Sequence, residues 1–174
     1  MSTTQPKRIL AVEIRAARLG YAVFETPKTL RDFGAAWFDS NMAARSRIAR
    51  LLRLCRPTVL VLRGASRRYI RRSRARRAVV QIAGQEARKL AIPITRITEQ
   101  EFKSYFARQA CRDKYDVARL LAGRFPETAW RLPERPKFFE PEPRAILYFD
   151  SIALAAAYLE LANIETTRAD LSGG

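Results

Sequence analysis

A continuous apolar run at positions 58–62, TVLVL, limits the fold of this chain more than any other segment. An unbroken apolar run is typical of a strand that is buried on both faces, and such a strand needs helices on both sides of its sheet. Helical patterns flank the run: SNMAARSRIARLLRLCR precedes it, and apolar residues from Val79 to Leu90 follow it at helical spacing. The run therefore predicts an α/β fold with this strand inside a covered sheet.

The N-terminal part of the chain predicts an antiparallel hairpin. Apolar runs at 8–14 and 19–25 are joined by RAARLG, in which Gly20 is expected to supply the turn conformation. A third strand is predicted within TLRDFGAAWFD, and a short one at IPITRI. The element order β-β-β-α-β-α-β-α-α-α predicts a mixed five-stranded sheet, with three antiparallel strands followed by parallel strands and helices on its faces.

The C-terminal half predicts three helices and one loop. TEQEFKSYFA begins with a capping box formed by Thr98 and Glu101, and DKYDVARLLAGRF begins at a capping Asp113. Residues 126–144 hold five of the nine prolines and are expected to form an irregular loop. The last helix, ILYFDSIALAAAYLELA, is apolar nearly all round, which is typical of a helix that is covered on both sides or lies at a homodimer interface.

We expect a single domain at 8–165, with a flexible N-terminus at 1–7 and a flexible tail at 166–174. Asp150 and Glu160 interrupt the apolar last helix, so we interpret it as a core helix and not as a membrane span. The first residues lack the apolar segment of a secretory signal, and the two cysteines are distant in sequence. These features favour a cytoplasmic protein with free thiols.

The net charge of +16 is the strongest compositional signal. The chain has 33 lysines and arginines against 17 acids, and this excess predicts a polyanionic partner, most often nucleic acid and less often an acidic membrane or an acidic protein. The chain contains no histidine, which excludes Ser-His-Asp and Cys-His catalysis and histidine-containing zinc sites.

Half of that charge lies in one segment, RGASRRYIRRSRARR at 63–77. Like charges at this density are uncommon on a helix that binds nothing, so phosphate contacts are favoured over a merely solvated face. A smaller basic group follows between two later helices. The predicted nucleic-acid-binding residues are Arg63, Arg67, Arg68, Arg71, Arg72, Arg74, Arg76, Arg77, Arg108, Arg112 and Lys114.

Five aromatic residues are candidates for stacking on bases: Trp37, Phe38, Trp130, Phe138 and Phe139. Trp37 fits a strand pattern and is expected in the core. Phe138 and Phe139 lie in the proline-rich loop, where their alternative role is to hold that loop in place.

Three segments together resemble the RuvC-type Holliday junction resolvases of the ribonuclease H-like superfamily. They are ILAVEIRAARLGYAVFE, RPTVLVLR and FDSIALAAAY, and the resemblance extends over residues 8–162. It implies a RuvC-like fold, DNA as the partner, and a site in which four carboxylates bind two divalent cations, Mg²⁺ or Mn²⁺.

Only two of the four acids are present when the match is made position by position. Glu13 ends the first strand, where the family usually has aspartate, and Asp150 lies in the last helix; these are the predicted catalytic and metal-binding residues. Arg63 replaces the acid at the end of the fourth strand, and Leu147 replaces the other helix acid. A guanidinium at this position would pair with Glu13 and repel a metal ion.

The sequence therefore leaves three hypotheses open. The preferred one is a RuvC-like protein that binds structured or branched DNA and has an eroded nuclease site. The second is an active, metal-dependent endodeoxyribonuclease, for which Glu140 and Glu142 are candidate substitute ligands. The third is a non-catalytic module that assembles with RNA or with an acidic protein.

Overall fold

The computed structural model describes residues 8–64 and 73–172. Its five strands form one sheet in the order β3-β2-β1-β4-β5. β1 pairs with β2 and β2 with β3 in antiparallel fashion, whereas β4 is parallel to both β1 and β5. This arrangement confirms the predicted mixed sheet. The strands are β1 (Ile9–Arg15), β2 (Arg18–Thr26), β3 (Thr29–Trp37), β4 (Val59–Arg63) and β5 (Ile94–Ile97).

Helices with side-chain caps connect and cover these strands. Ser40, Ser73 and Asp113 each accept hydrogen bonds from the first turn of their helix, and Thr98 forms the predicted capping box with Glu101. The proline-rich segment contains a 3-10 helix, Pro126–Arg131, where the sequence predicted only irregular structure. The α-helices are α1 (Asn41–Cys55), α2 (Arg74–Lys89), α3 (Glu99–Arg108), α4 (Lys114–Arg124) and α5 (Ile146–Ser172).

The two faces of the sheet are covered by different helices. Alternate residues of β1, Leu10, Val12 and Ile14, pack with α1 and α2, whereas Ile9 and Ala11 pack with α3, α4 and α5. Because strand side chains alternate between faces, Glu13 and Arg15 belong with Ile9 and Ala11 on the α5 side. The strand period thus directs both side chains toward the N-terminal end of α5.

Gly20 lies within β2, so the prediction that it forms the turn is wrong; Ala16 and Ala17 form the turn. Position 20 requires glycine because α5 packs directly on β2 at this point. A Cβ at position 20 would lie 2.5 Å from the Leu147 carbonyl oxygen, closer than side-chain carbons approach backbone. Gly20 therefore allows α5 to approach β2 closely, one turn of helix before Asp150.

The segment Ile146–Asn163 of α5 has the length and composition to cross a membrane, with a mean hydropathy of 1.2. Within the described part of the chain it is the one helix with these properties. Its residues 152–157 are buried, and the helix packs on β1, β2 and α4. This packing accounts for the apolar composition, in agreement with the interpretation as a core helix.

Trp37, which was expected in the core, lies at the surface. Trp37 is 42% exposed at the end of edge strand β3, where the Arg144 guanidinium lies 5.7 Å from its ring centroid. The prediction that Trp37 packs in the core is therefore wrong.

Candidate functional site

A cavity of about 510 Å³ opens where β1 and β4 end. Because these strands are parallel, their carboxyl ends lie at the same edge of the sheet, and the N-terminal parts of α2, α3, α4 and α5 complete the walls. Four carboxylates line the cavity: Glu13, Glu99, Glu142 and Asp150. Four cationic side chains line it as well: Arg15, Arg63, Arg76 and Lys114.

Glu13 is held by two guanidinium groups. Arg63 Nε donates to Glu13 Oε2 at 3.1 Å, and Arg76 Nη2 donates to Oε1 at 2.9 Å. The side chains are largely buried, with exposed fractions of 5% for Glu13, 12% for Arg63 and 14% for Arg76. Both carboxylate oxygens are thereby bonded to charged donors, which offsets the cost of burying this acid. The predicted pairing of Glu13 with Arg63 is confirmed.

Arg63 makes two further contacts that fix its orientation. Its Cζ lies 3.5 Å from the centroid of the Phe102 ring, and its Nη1 lies 3.7 Å from Glu99 Oε2. Stacking on an aromatic face suits the planar guanidinium and holds its donors toward Glu13. The residue at the end of β4 is thus an integral part of the cavity wall.

Arg15 bridges the other two acids. It donates through Nη1 to Glu142 and through Nη2 to Asp150, and Lys114 also pairs with Glu142. Burial raises the pKa of Asp150 and the nearby Glu13 raises it further, whereas Arg15 and Arg63 oppose this shift. Burial and the adjacent Arg15 lower the pKa of Lys114. Of the two substitute ligands considered above, Glu142 therefore reaches the cavity, bound to cations.

The carboxylates of the cavity wall do not fit a site for a pair of divalent cations. Such a site needs several carboxylates free to coordinate, but Glu13, Asp150 and Glu142 each contact one or two cationic side chains. The four acids and four cations of the wall also cancel in formal charge. Among residues 8–64 and 73–172 there is no group of three or more His, Cys, Asp or Glu side chains placed to hold a metal ion.

No family model matches the sequence, and no curated protein matches it either. The structure resembles Thermus thermophilus RuvC in complex with a Holliday junction substrate, with a TM-score of 0.67 and 16% identity over 90% of this chain and 95% of that chain. A second structure of Thermus thermophilus RuvC gives 0.67 and 15% over 91% and 97%. This chain has the RuvC-like ribonuclease H fold.

The yeast mitochondrial Holliday junction resolvase has a more distant version of this RuvC-like fold. Its TM-score is 0.57 and its identity 11%, over 91% of this chain and 82% of that chain. The fold predicted from three sequence segments is therefore confirmed. At these identities the similarity concerns the path of the chain and leaves the chemistry to be argued from the side chains.

The remaining predicted binding residues have different positions around this RuvC-like core. Arg74, Arg77, Arg108 and Arg112 are exposed, whereas Arg63 and Arg76 form the cavity wall. Lys114 lies at the cavity with 43% of its side chain exposed. The four arginines at 67, 68, 71 and 72 lie outside the described residues.

Three residues of the site were not singled out from the sequence: Arg15, Glu99 and Phe102. A signal for Arg15 exists, because it lies two residues after Glu13 and therefore on the same face of β1. The contacts of Glu99 and Phe102 with Arg63 depend on how α3 sits beside β4, which no local pattern reveals.

Proposed function

We propose that this protein binds structured or branched DNA without cleaving it at the cavity. The observation that carries the proposal is the pairing of Glu13 with Arg63 and Arg76, because it occupies the acid that the resolvase resemblance assigns to metal binding. The protein keeps the RuvC-like scaffold and replaces the metal-binding chemistry with ion pairs inside the protein.

DNA binding is supported by the excess positive charge that lies outside the cavity wall. The cavity wall has as many cations as acids, so the net charge of +16 arises from the rest of the chain. Exposed Arg74 and Arg77 lie beside Arg76 at the start of α2, directly after the arginine-rich segment in sequence. Exposed Arg108 ends α3, and exposed Arg112 lies between α3 and α4. Forked guanidinium groups suit phosphate contacts on a DNA backbone.

The absence of cleavage is supported by the cost of rearranging the site. A divalent cation at Glu13 would have to displace two guanidinium groups that are largely buried and hydrogen-bonded. The displaced cations would remain close to the metal and repel it. Arg15 imposes the same obstacle at Asp150.

DNA junctions are the partner class favoured by the fold. One structural neighbour is RuvC bound to a Holliday junction substrate, and another is a junction resolvase. We therefore expect a four-way junction to bind more tightly than a duplex of the same sequence.

The test compares a four-way junction with a matched duplex by fluorescence anisotropy over a range of salt concentrations. We expect the junction to bind more tightly than the duplex. For the duplex, log K should fall by about 0.9 per phosphate contact for each tenfold rise in salt concentration. Arg74→Ala/Arg77→Ala should weaken binding and reduce that slope. Arg50→Ala/Arg53→Ala is the matched control, because these exposed arginines lie near the end of α1, which leads into the opposite end of β4.

Two outcomes would overturn the proposal. Junction cleavage in Mg²⁺ or Mn²⁺ that Asp150→Asn abolishes would establish the endonuclease instead. Equal affinity for junction and duplex, with shallow salt dependence, would favour an assembly module that binds RNA or an acidic protein.

A further inference from the structure

We infer that Phe138 and Phe139 form a stacking surface for unpaired bases of bound DNA, an inference that rests on the proposed function. The two rings are the most exposed large apolar side chains of the described residues, at 106% and 81%. They lie together in the sequence PKFFEPEP, between α4 and α5.

The backbone around the two rings is ordered by its own hydrogen bonds. Glu140 N donates to the Lys137 carbonyl oxygen at 3.0 Å, and Lys137 N donates to Glu140 Oε2 at 2.9 Å. These bonds close a four-residue turn with the phenylalanines at its two central positions. The two rings belong to consecutive residues of this turn, and both are exposed to solvent.

Ion pairs anchor the loop on both sides of this turn. On one side, Arg135 Nη1 lies 2.6 Å from Asp113 Oδ2 at the start of α4. On the other side, Glu142 pairs with Arg15 and Lys114 in the cavity wall. The anchors hold the loop without help from the phenylalanines, so the alternative role considered for them is already filled by other residues. The second anchor also places the turn beside the cavity.

The net charge of the chain and the exposed rings favour a nucleic-acid strand as the occupant. Close to the rings the cations Arg135 and Lys137 are balanced by the acids Glu134 and Glu140, so the attraction for a phosphate backbone comes from the chain as a whole, at +16. Exposed aromatic rings then stack on bases irrespective of base identity. Bases inside a duplex have both faces covered, so the partner is a base left unpaired at a branch, bulge or single-stranded end.

The experiment uses the full chain and DNA with 2-aminopurine at an unpaired position, compared with a fully paired duplex. Phe138→Leu/Phe139→Leu keeps the loop apolar and removes both rings. We expect wild-type protein to quench 2-aminopurine and the variant to lose this quenching. We also expect the variant to bind the unpaired substrate about 5-fold to 150-fold more weakly per stacked base, with duplex affinity unchanged.

Met42→Ala/Leu54→Ala is the matched control, since both residues are exposed apolar side chains on α1, across the sheet from α5. It should leave quenching and affinity unchanged. Thermal unfolding should be the same for all three proteins, because none of the altered side chains is buried.

The outcomes separate this inference from the proposed function. If wild-type protein prefers junctions but the leucine variant keeps its quenching and affinity, the stacking surface is refuted and the proposed function stands. If the variant loses duplex and unpaired binding equally, the rings do not recognise unpaired bases. If the wild-type protein binds no DNA, both proposals fail.

Discussion

Replacing Arg63 with methionine tests whether the Glu13 ion pair is a structural element of the fold. Methionine retains an apolar stem of similar length, so the main loss is the guanidinium. Glu13 is 5% exposed and keeps its 2.9 Å bond from Arg76, so it loses one of two charged donors. Arg63→Met should therefore cost about 1.5–3 kcal/mol for a hydrogen bond to a charged group, and about 0.5–2 kcal/mol more for the Phe102 stack.

The assay is urea-induced unfolding at neutral pH, with Glu13→Gln and the double variant completing a thermodynamic cycle. If the pair is coupled as the 3.1 Å contact indicates, the double variant should be more stable than the sum of the single effects predicts. Removing both Arg63 and Arg76 should cost more than Arg63→Met alone, because it leaves a buried carboxylate without a charged partner.

A cost of Arg63→Met below about 1 kcal/mol, the range of exposed ion pairs, or a cycle without coupling would refute this structural role of the pair. Glu13 would then be solvated and free to bind a metal ion.

Two further predictions concern α5 and its aspartate. Gly20→Ala should destabilise the fold by about 1–3 kcal/mol, because the new Cβ meets the Leu147 backbone. Gly123→Ala should instead stabilise the fold by about 0.5–1 kcal/mol, because Gly123 lies inside α4 with open space around it. Thermal unfolding of both variants checks these expectations. Since the pKa of Asp150 is raised in the folded protein, its contribution to stability is present at low pH and is lost as pH rises above the usual value of 3.8. Unfolding measured across pH should therefore show wild-type protein losing stability with rising pH relative to Asp150→Asn, and parallel profiles would contradict the shift.

The strand and helix order could be predicted because local signals agree with the global arrangement. The apolar run before Arg63 fits a strand buried on both faces, and Thr98, Asp113 and Ser40 mark helix starts by chemistry that acts within one turn. The Glu13–Arg63 pair could also be predicted, because each residue directly follows one member of the registered pair Val12–Leu62 on neighbouring parallel strands.

The remaining parts of the site depend on tertiary placement. Glu142 is in a proline-rich loop, and its position in the cavity follows from where the N-terminal end of α5 meets β1, which no periodicity encodes. Trp37 has a strand pattern, but it ends an edge strand, so the expected burial does not occur. In both cases the deciding factor is which surface lies opposite, and a sequence window contains no information on it.

The contact between Arg15 and Asp150 has a consequence for the order in which the protein is made. The two residues are 135 positions apart, and Asp150 belongs to a helix that is synthesised after all five strands of the sheet. At a translation rate of about 5–20 residues per second, Arg15 leaves the peptidyl transferase centre of the ribosome roughly 7–27 s before Asp150. The cavity therefore cannot balance its charges until Asp150 has been made, and a translation product that stops before α5 would leave the four cations of the wall facing three acids.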